Sequence, residues 1–386
     1  SDHNHSIHQS LHVENNAQLG IVDGHVYWQH PRFPNSAWSR KDWTITNSPM
    51  VDKPDHAAPA QLSRSVVAGL PYIVSELNEP FPNDYAAEFI PIVTAYALLQ
   101  DWDGLFWFEY GGGASVEAWQ DGAIRSFFSM ANDPVKMTQL AIGALCFLRG
   151  DVEGARHMVG QWLTRERLVE SYRYDLPDDI YPYTISYLPG RLSLVHRTAI
   201  QEFNAPYLAP EPGEIELPAQ IIASDTEELF WINNEEDGKF IADTDRYQAV
   251  VGRTGHFETS HMMVDLESRF AAVQLISLDY DFIAQTQNLL LVASARVANS
   301  GMVWQDVSRH SLGDQWGDAP TLIEPVIAAI KLSGFENAQS LQLQALDGRG
   351  QPLGDPEFYV VNDGVFEFEL DASPATLWYY LHVDRK

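Results

Sequence analysis

The chain has 386 residues, enough to bury a sizeable core in two or three domains, and its 53 acidic against 24 basic residues give a formal charge of −29. A field of that sign opposes binding to nucleic acid or to an anionic membrane and suits a neutral substrate. The single cysteine, Cys146 in the apolar run 140–148, excludes an intrachain disulfide and reads as a buried thiol, and no stretch is apolar for long enough to span a bilayer.

Residues 1–20 carry His3, His5, His8 and His12. The spacing of His8 and His12 fits one helical face, so a metal site is one reading; a polar terminus leading through a helix to Gly20 is the other. The start does not read as a signal peptide. Asp23-Gly24-His25-Val26-Tyr27-Trp28 then opens an apolar strand with a polar end. The loop over 29–59 holds Phe33, Trp38, Arg40, Trp43 and Asn47, and loops of that length usually build a site or a lid. Trp38 and Trp43 either line a sugar pocket or anchor the loop.

A short helix over 61–69 precedes the strand Tyr72-Ile73-Val74, which delivers Ser75 and Glu76 into a turn of Asn78, Pro80, Pro82 and Asn83. Residues 85–99 have the length and apolar spacing of a crossover helix. The run Gly104-Leu105-Phe106-Trp107-Phe108-Glu109 is a second strand ending in a carboxylate, followed by three glycines at 111–113. The unit is βαβ, with acids at the carboxyl ends of its strands, where α/β barrels place their chemistry. Residues 115–128 and 134–149 read as helical, with Asp133-Pro134 as N-cap and first helical residue. Residues 163–187 mix a helix-like piece with a proline-rich connection, and 207–218 is a linker by composition. From Ile221 to Leu381 short strands alternate with Gly, Asp and Asn turns, the pattern of β-sandwich material.

The stretch Ser75-Glu76-Leu77-Asn78 with Pro80, Pro82-Asn83, Tyr85 and Ala87-Glu88, then Gln100-Asp101-Trp102-Asp103-Gly104, resembles the seventh and eighth strands of retaining glycoside hydrolases of clan A, near the cellulase-like and β-galactosidase-like enzymes. His25-Val26-Tyr27 is similar to that clan's sixth strand. The resemblance implies Glu76 as nucleophile, oriented by Tyr27 and His25, which otherwise read as a satisfied polar pair at a strand end, and Trp107 as a sugar platform; Trp28, Asn78, Trp38 and Trp43 are further sugar-binding candidates. Residues around 224–227, 277–279 and 299–304 resemble the clan's carboxyl-terminal modules. The fold expected is thus α/β plus all-β: a partial (β/α)8 barrel over 1–150, a connecting segment over 151–218, and β-sandwich domains over 219–386.

Only three barrel strands find a place before residue 113, and the clan's acid/base residue comes from a fourth strand that is missing. A retaining enzyme needs that second carboxyl roughly 5–5.5 Å from the nucleophile. Glu109 and Glu79 are the candidates within reach, each of which also reads as an uninvolved loop carboxylate. Trp107 reads equally as core. The expected activity is hydrolysis of a β-glycosidic bond by double displacement, without a cofactor or a metal; the alternative is a remnant that binds carbohydrate without turning it over, and a metal-dependent hydrolase using the amino-terminal histidines is a third. An open parallel sheet leaves unpaired edges, so a homo-oligomer covering that side is expected.

Overall fold

The computed structural model describes residues 9–111, 118–170, 186–210, 215–360 and 364–386. His3, His5 and His8, the glycines at 112–113 and the segment 171–185 fall outside them, as does the His12 side chain.

After α1 (Gln9–Gln18), strands β1 (Val22–Tyr27), β2 (Tyr72–Asn78) and β3 (Gly104–Trp107) form a three-stranded parallel sheet in the order β1-β2-β3. The short α2 (Ala58–Leu62) precedes β2, and α3 (Phe89–Leu99) is the crossover from β2 to β3. Gly24 belongs in β1 because a Cβ there would meet the Tyr72 hydroxyl at 2.1 Å; that hydroxyl donates to the Leu62 carbonyl at 2.9 Å, tying sheet to α2. Helix α4 (Pro134–Arg149) is capped as its sequence predicts. The Asp133 carboxylate accepts the Lys136 amide at 3.1 Å, Pro134 opens the helix, and Gly150 ends it at φ 69°. The expected helix over 115–128 does not extend through its described part. A 3-10 turn at Ala118–Asp121 stops at Gly122, and the amide and carbonyl of Ile124 pair with the Asn299 side chain instead of a helical ladder.

Strands β4 (Met158–Leu163) and β5 (Arg197–Phe203), with α5 (Arg165–Glu170) between them, make a separate two-stranded parallel sheet. The remaining strands run antiparallel to their neighbours: β6 (Ile221–Ala223), β7 (Leu229–Ile232), β8 (Lys239–Asp243), β9 (Tyr247–Glu258), β10 (Met262–Ser277), β11 (Asn288–Ser294), β12 (Val297–Ser300), β13 (Asp318–Ile323), β14 (Ala328–Ser333), β15 (Ala338–Ala345), β16 (Glu357–Val360), β17 (Val365–Leu370) and β18 (Trp378–Arg385). Apart from the β12–β13 pair, they build one 11-stranded sheet. Its strands alternate: Phe366, Phe368 and Leu370 of β17 are buried while Glu367 and Glu369 are exposed. The sheet branches at β10, whose first half pairs with β14 and whose second half pairs with β11, so its two arms enclose a core of their own. Its other face meets α3, where Tyr96 lies 5.9 Å from Trp231 and 5.8 Å from Phe240. The same helix presents Phe89 to Trp107 of β3 at 6.0 Å, so α3 is a layer between the two sheets.

The expected partial barrel is therefore not what the chain forms. Among the described residues five α-helices stand against eighteen strands, the strand after α4 leaves the first sheet, and the bulk of the fold is antiparallel. A βαβ crossover fixes only one pair of neighbours, whereas a barrel needs the alternation repeated until the sheet closes. The carboxyl-terminal part, read as β-sandwich domains, is mainly one branched sheet whose outer face shares its core with the parallel sheet and α3. No described helix is long and apolar enough to cross a membrane.

Candidate active site

Register places the site. Gly24 stands opposite Val74, but His25 stands opposite Glu76, so Ser75 is an extra residue in β2. Its amide is taken by the Asp23 carboxylate at 3.0 Å, and its hydroxyl lies 2.7 Å from the other Asp23 oxygen and 2.9 Å from His25 Nε2. This polar knot supplies the hydrogen bonds the bulge removes from the ladder, and it turns Glu76 toward β1. Burial opposes the charge on Asp23, but the bonds from His25 and Ser75 outweigh it and hold its carboxyl below the usual range.

The Tyr27 hydroxyl donates to Glu76 Oε2 at 2.7 Å, and His25 Nδ1 lies 3.5 Å from the same oxygen. Tyr27 is 4% and His25 3% exposed, whereas the Glu76 side chain keeps 34% of its surface open. Two enclosed groups thus hold a carboxylate that solvent and a ligand can reach. The Tyr27 phenol is pushed well above its usual pKa by burial first, then by its bond to Glu76 and by the charges of Glu76 and Glu109. It stays a neutral donor at any physiological pH. Glu109 follows the end of β3, a half-buried residue. Its backbone is pinned by the Phe128 carbonyl at 3.0 Å and the Met130 amide at 3.1 Å.

Aromatic rings surround this pair. Tyr27 packs on Phe128 at 4.7 Å, His30 at 5.4 Å and Phe108 at 6.2 Å, and His30 meets Trp38 at 5.6 Å. Trp38 is 60% exposed, its indole open to solvent. His30 is held below its usual pKa by burial, against the pull of the Pro31 carbonyl and of Glu76. Trp107 is half-buried at the end of β3, its ring against Phe89.

Other sequence candidates are not brought to this surface. Glu79 is fully enclosed and cannot reach a leaving group. Trp43 is 1% exposed, donates to the Arg40 and Gly313 carbonyls, and packs on Phe127 and Trp316, so of its two readings it takes the loop anchor. Trp28 is buried with its indole nitrogen on the Ser48 carbonyl at 2.9 Å. Asn78, 1% exposed, joins the ends of β2 and β3 through the Phe108 and Phe128 carbonyls. Conversely, Asp23, Ser75 and His30 position the site without having been singled out for it. The acid two residues before His25 was the visible signal for the first of them.

For the glycosidase activity expected from the sequence, replacing Tyr27 with phenylalanine should keep the ring packing and lower kcat/KM roughly 10- to 100-fold, the worth of one hydrogen bond to a charged group. Steady-state rates on an aryl β-glycoside check this, and an unchanged kcat/KM removes the assigned role.

A cavity of about 610 Å³ lies elsewhere, lined by Glu357, Tyr359, Phe368 and Tyr379, and no residue of this site borders it. That cavity also holds a phenol–carboxylate pair, the Tyr359 hydroxyl donating to Glu357, but Tyr359 is only half-buried, whereas Tyr27 is enclosed and His25 stands beside it against the same carboxylate. No family model, curated protein or solved structure matches the chain.

Proposed function

We propose that the chain is a retaining β-glycosidase in which Glu76 attacks the anomeric carbon. Tyr27 occupies Oε2 and leaves the other oxygen to form the glycosyl ester while the bond to the leaving oxygen breaks. Glu109 protonates that oxygen, then takes a proton from the water that hydrolyses the ester. Trp38 and Trp107 offer stacking surfaces, and the acidic surface suits a neutral sugar. The observation that carries this reading is the 2.7 Å bond from an enclosed phenol to a carboxylate with a third of its surface open. No cofactor enters these steps. The test is a panel of nitrophenyl β-glycosides, with the anomer of the first product followed by proton NMR. Release of the β-anomer supports double displacement, and release of the α-anomer overturns it.

A second reading, carbohydrate binding without turnover, is favoured by one observation. β1 and β3 are the outer strands of their sheet, and Phe106 and Tyr110 beside the site are 57% and 54% exposed. The sheet that carries Glu76 therefore stands open at both edges among the described residues. Within the enzyme reading a second copy of the chain covers an open edge, so light scattering is expected to give a dimer or larger. One chain per particle together with an inactive panel, but measurable oligosaccharide affinity, favours the binding reading.

A further inference from the structure

Three arginines converge on one buried carboxylate where the parallel sheet meets the antiparallel one. Asp84, 7% exposed, follows the turn after β2. Arg309 Nη1 reaches its Oδ2 at 2.7 Å, Arg296 Nη1 its Oδ1 at 3.3 Å, and Arg269 Nη1 its Oδ2 at 3.7 Å. Arg296 Nε also pairs with Glu324 at 2.9 Å, and Arg269 Nη2 donates to the Tyr85 hydroxyl at 2.7 Å. These groups line a cavity of about 170 Å³. That is well above the ~30 Å³ a water occupies in the liquid.

Charge and donor counts both point outward from this cluster. Three guanidinium groups against two carboxylates leave one positive charge in excess, in a molecule whose formal charge is −29. Arg296 Nη2 and Arg309 Nε and Nη2 make no hydrogen bond among the described residues. Guanidinium forks match oxyanions geometrically and are weakly hydrated, so unused donors lining a cavity form a recognition surface. The arginines come from β10, from the link between β11 and β12, and from the loop before β13, so their convergence is a tertiary feature.

We propose that this cavity binds a tetrahedral oxyanion, phosphate or sulfate, either free or as the ester group of a sugar. The anion completes the coordination of Arg296 and Arg309 and braces the join between the sheets. Asn47 ties the long loop to the same point, accepting the Asp84 amide at 2.9 Å and donating to the Arg309 carbonyl at 3.0 Å. Binding should therefore be read in thermal stability as well as in heat.

The test titrates the full chain with sodium sulfate and with sodium phosphate against sodium chloride at matched ionic strength, by calorimetry and by thermal unfolding. Expected are one saturable site per chain and a melting temperature that rises with either oxyanion beyond the chloride control. Arg309→Gln and Arg296→Gln should each weaken binding by about tenfold or more, the effect of losing a charge-assisted donor. Arg349→Gln, at an exposed turn, should change nothing. Parallel titrations with galactose 6-sulfate and glucose 6-phosphate separate the sources, since tighter binding of an ester than of its free anion assigns the site to the sugar. Absence of saturable binding by the wild-type chain overturns the proposal, as does binding that survives both variants. Arg296, whose side chain is 31% exposed, decides through its variant should Arg309→Gln fail to fold.

Discussion

Glu76→Ala is expected to lower kcat on a nitrophenyl β-glycoside by about 10⁴-fold or more, the scale on which removal of a covalent nucleophile acts. The substitution leaves the Asp23, Ser75 and His25 knot intact, so melting temperature should move little. Added azide then enters the vacated space and restores turnover of a dinitrophenyl substrate, whose leaving group needs no acid. Its product is the α-glycosyl azide, because one displacement replaces two. Glu109→Ala makes the complementary case. It should slow substrates with poor leaving groups while sparing activated ones, and azide should give the β-glycosyl azide. Equal rates for wild type and Glu76→Ala, or an identical leaving-group dependence for wild type and Glu109→Ala, remove the respective assignment.

What could be read in the sequence was local. The strand and turn around Glu76, the crossover helix, the Asp133-Pro134 start of α4 and the turn-separated short strands after Ile221 depend on neighbours within a few residues, and each is present. The pairing of Tyr27 with Glu76 was expected through a family resemblance; in the structure it follows from a bulge at Ser75 that no periodicity announces. The barrel was misjudged because strand count and closure are properties of the whole sheet. Trp43 and Glu79 show the same limit at single residues. Trp43 is held by Gly313 and Trp316, and Glu79 by a lysine from α4, so neither burial can be inferred from adjacent sequence.

Raising the pH from about 5 to about 8 is expected to weaken the fold by about 2–5 kcal/mol, read as falling urea midpoints. The cause is a pair of fully enclosed carboxyls, Glu79 and Glu88. Among the described residues neither Glu79 carboxyl oxygen accepts a hydrogen bond, while its backbone carbonyl is engaged by Lys136 Nζ at 2.6 Å. Burial, reinforced by Glu88, raises its pKa well above the usual range, against the pull of Lys136. Burial likewise pushes Glu88 up to about 8, Asp52 adding to it, while the Met50 and Val51 amides and Arg253 work the other way. The remaining charge beside them is Asp133, 3.7 Å from Lys136. Both carboxyls titrate near 4.5 once the chain unfolds. The native state thus binds more protons between that pH and the raised values. The stability these groups contribute is complete below about 4.5 and declines as pH rises, the Glu88 share levelling off above about 8. Glu88→Gln removes one titration together with the neighbouring charge that reinforces the rise at Glu79, and Glu79→Gln removes the other titration, so both should flatten the slope. If wild type and both variants lose the same stability across this range, the buried pair is not its source. A flatter slope in Glu79→Gln alone would place the proton on Glu79, three residues beyond the proposed nucleophile.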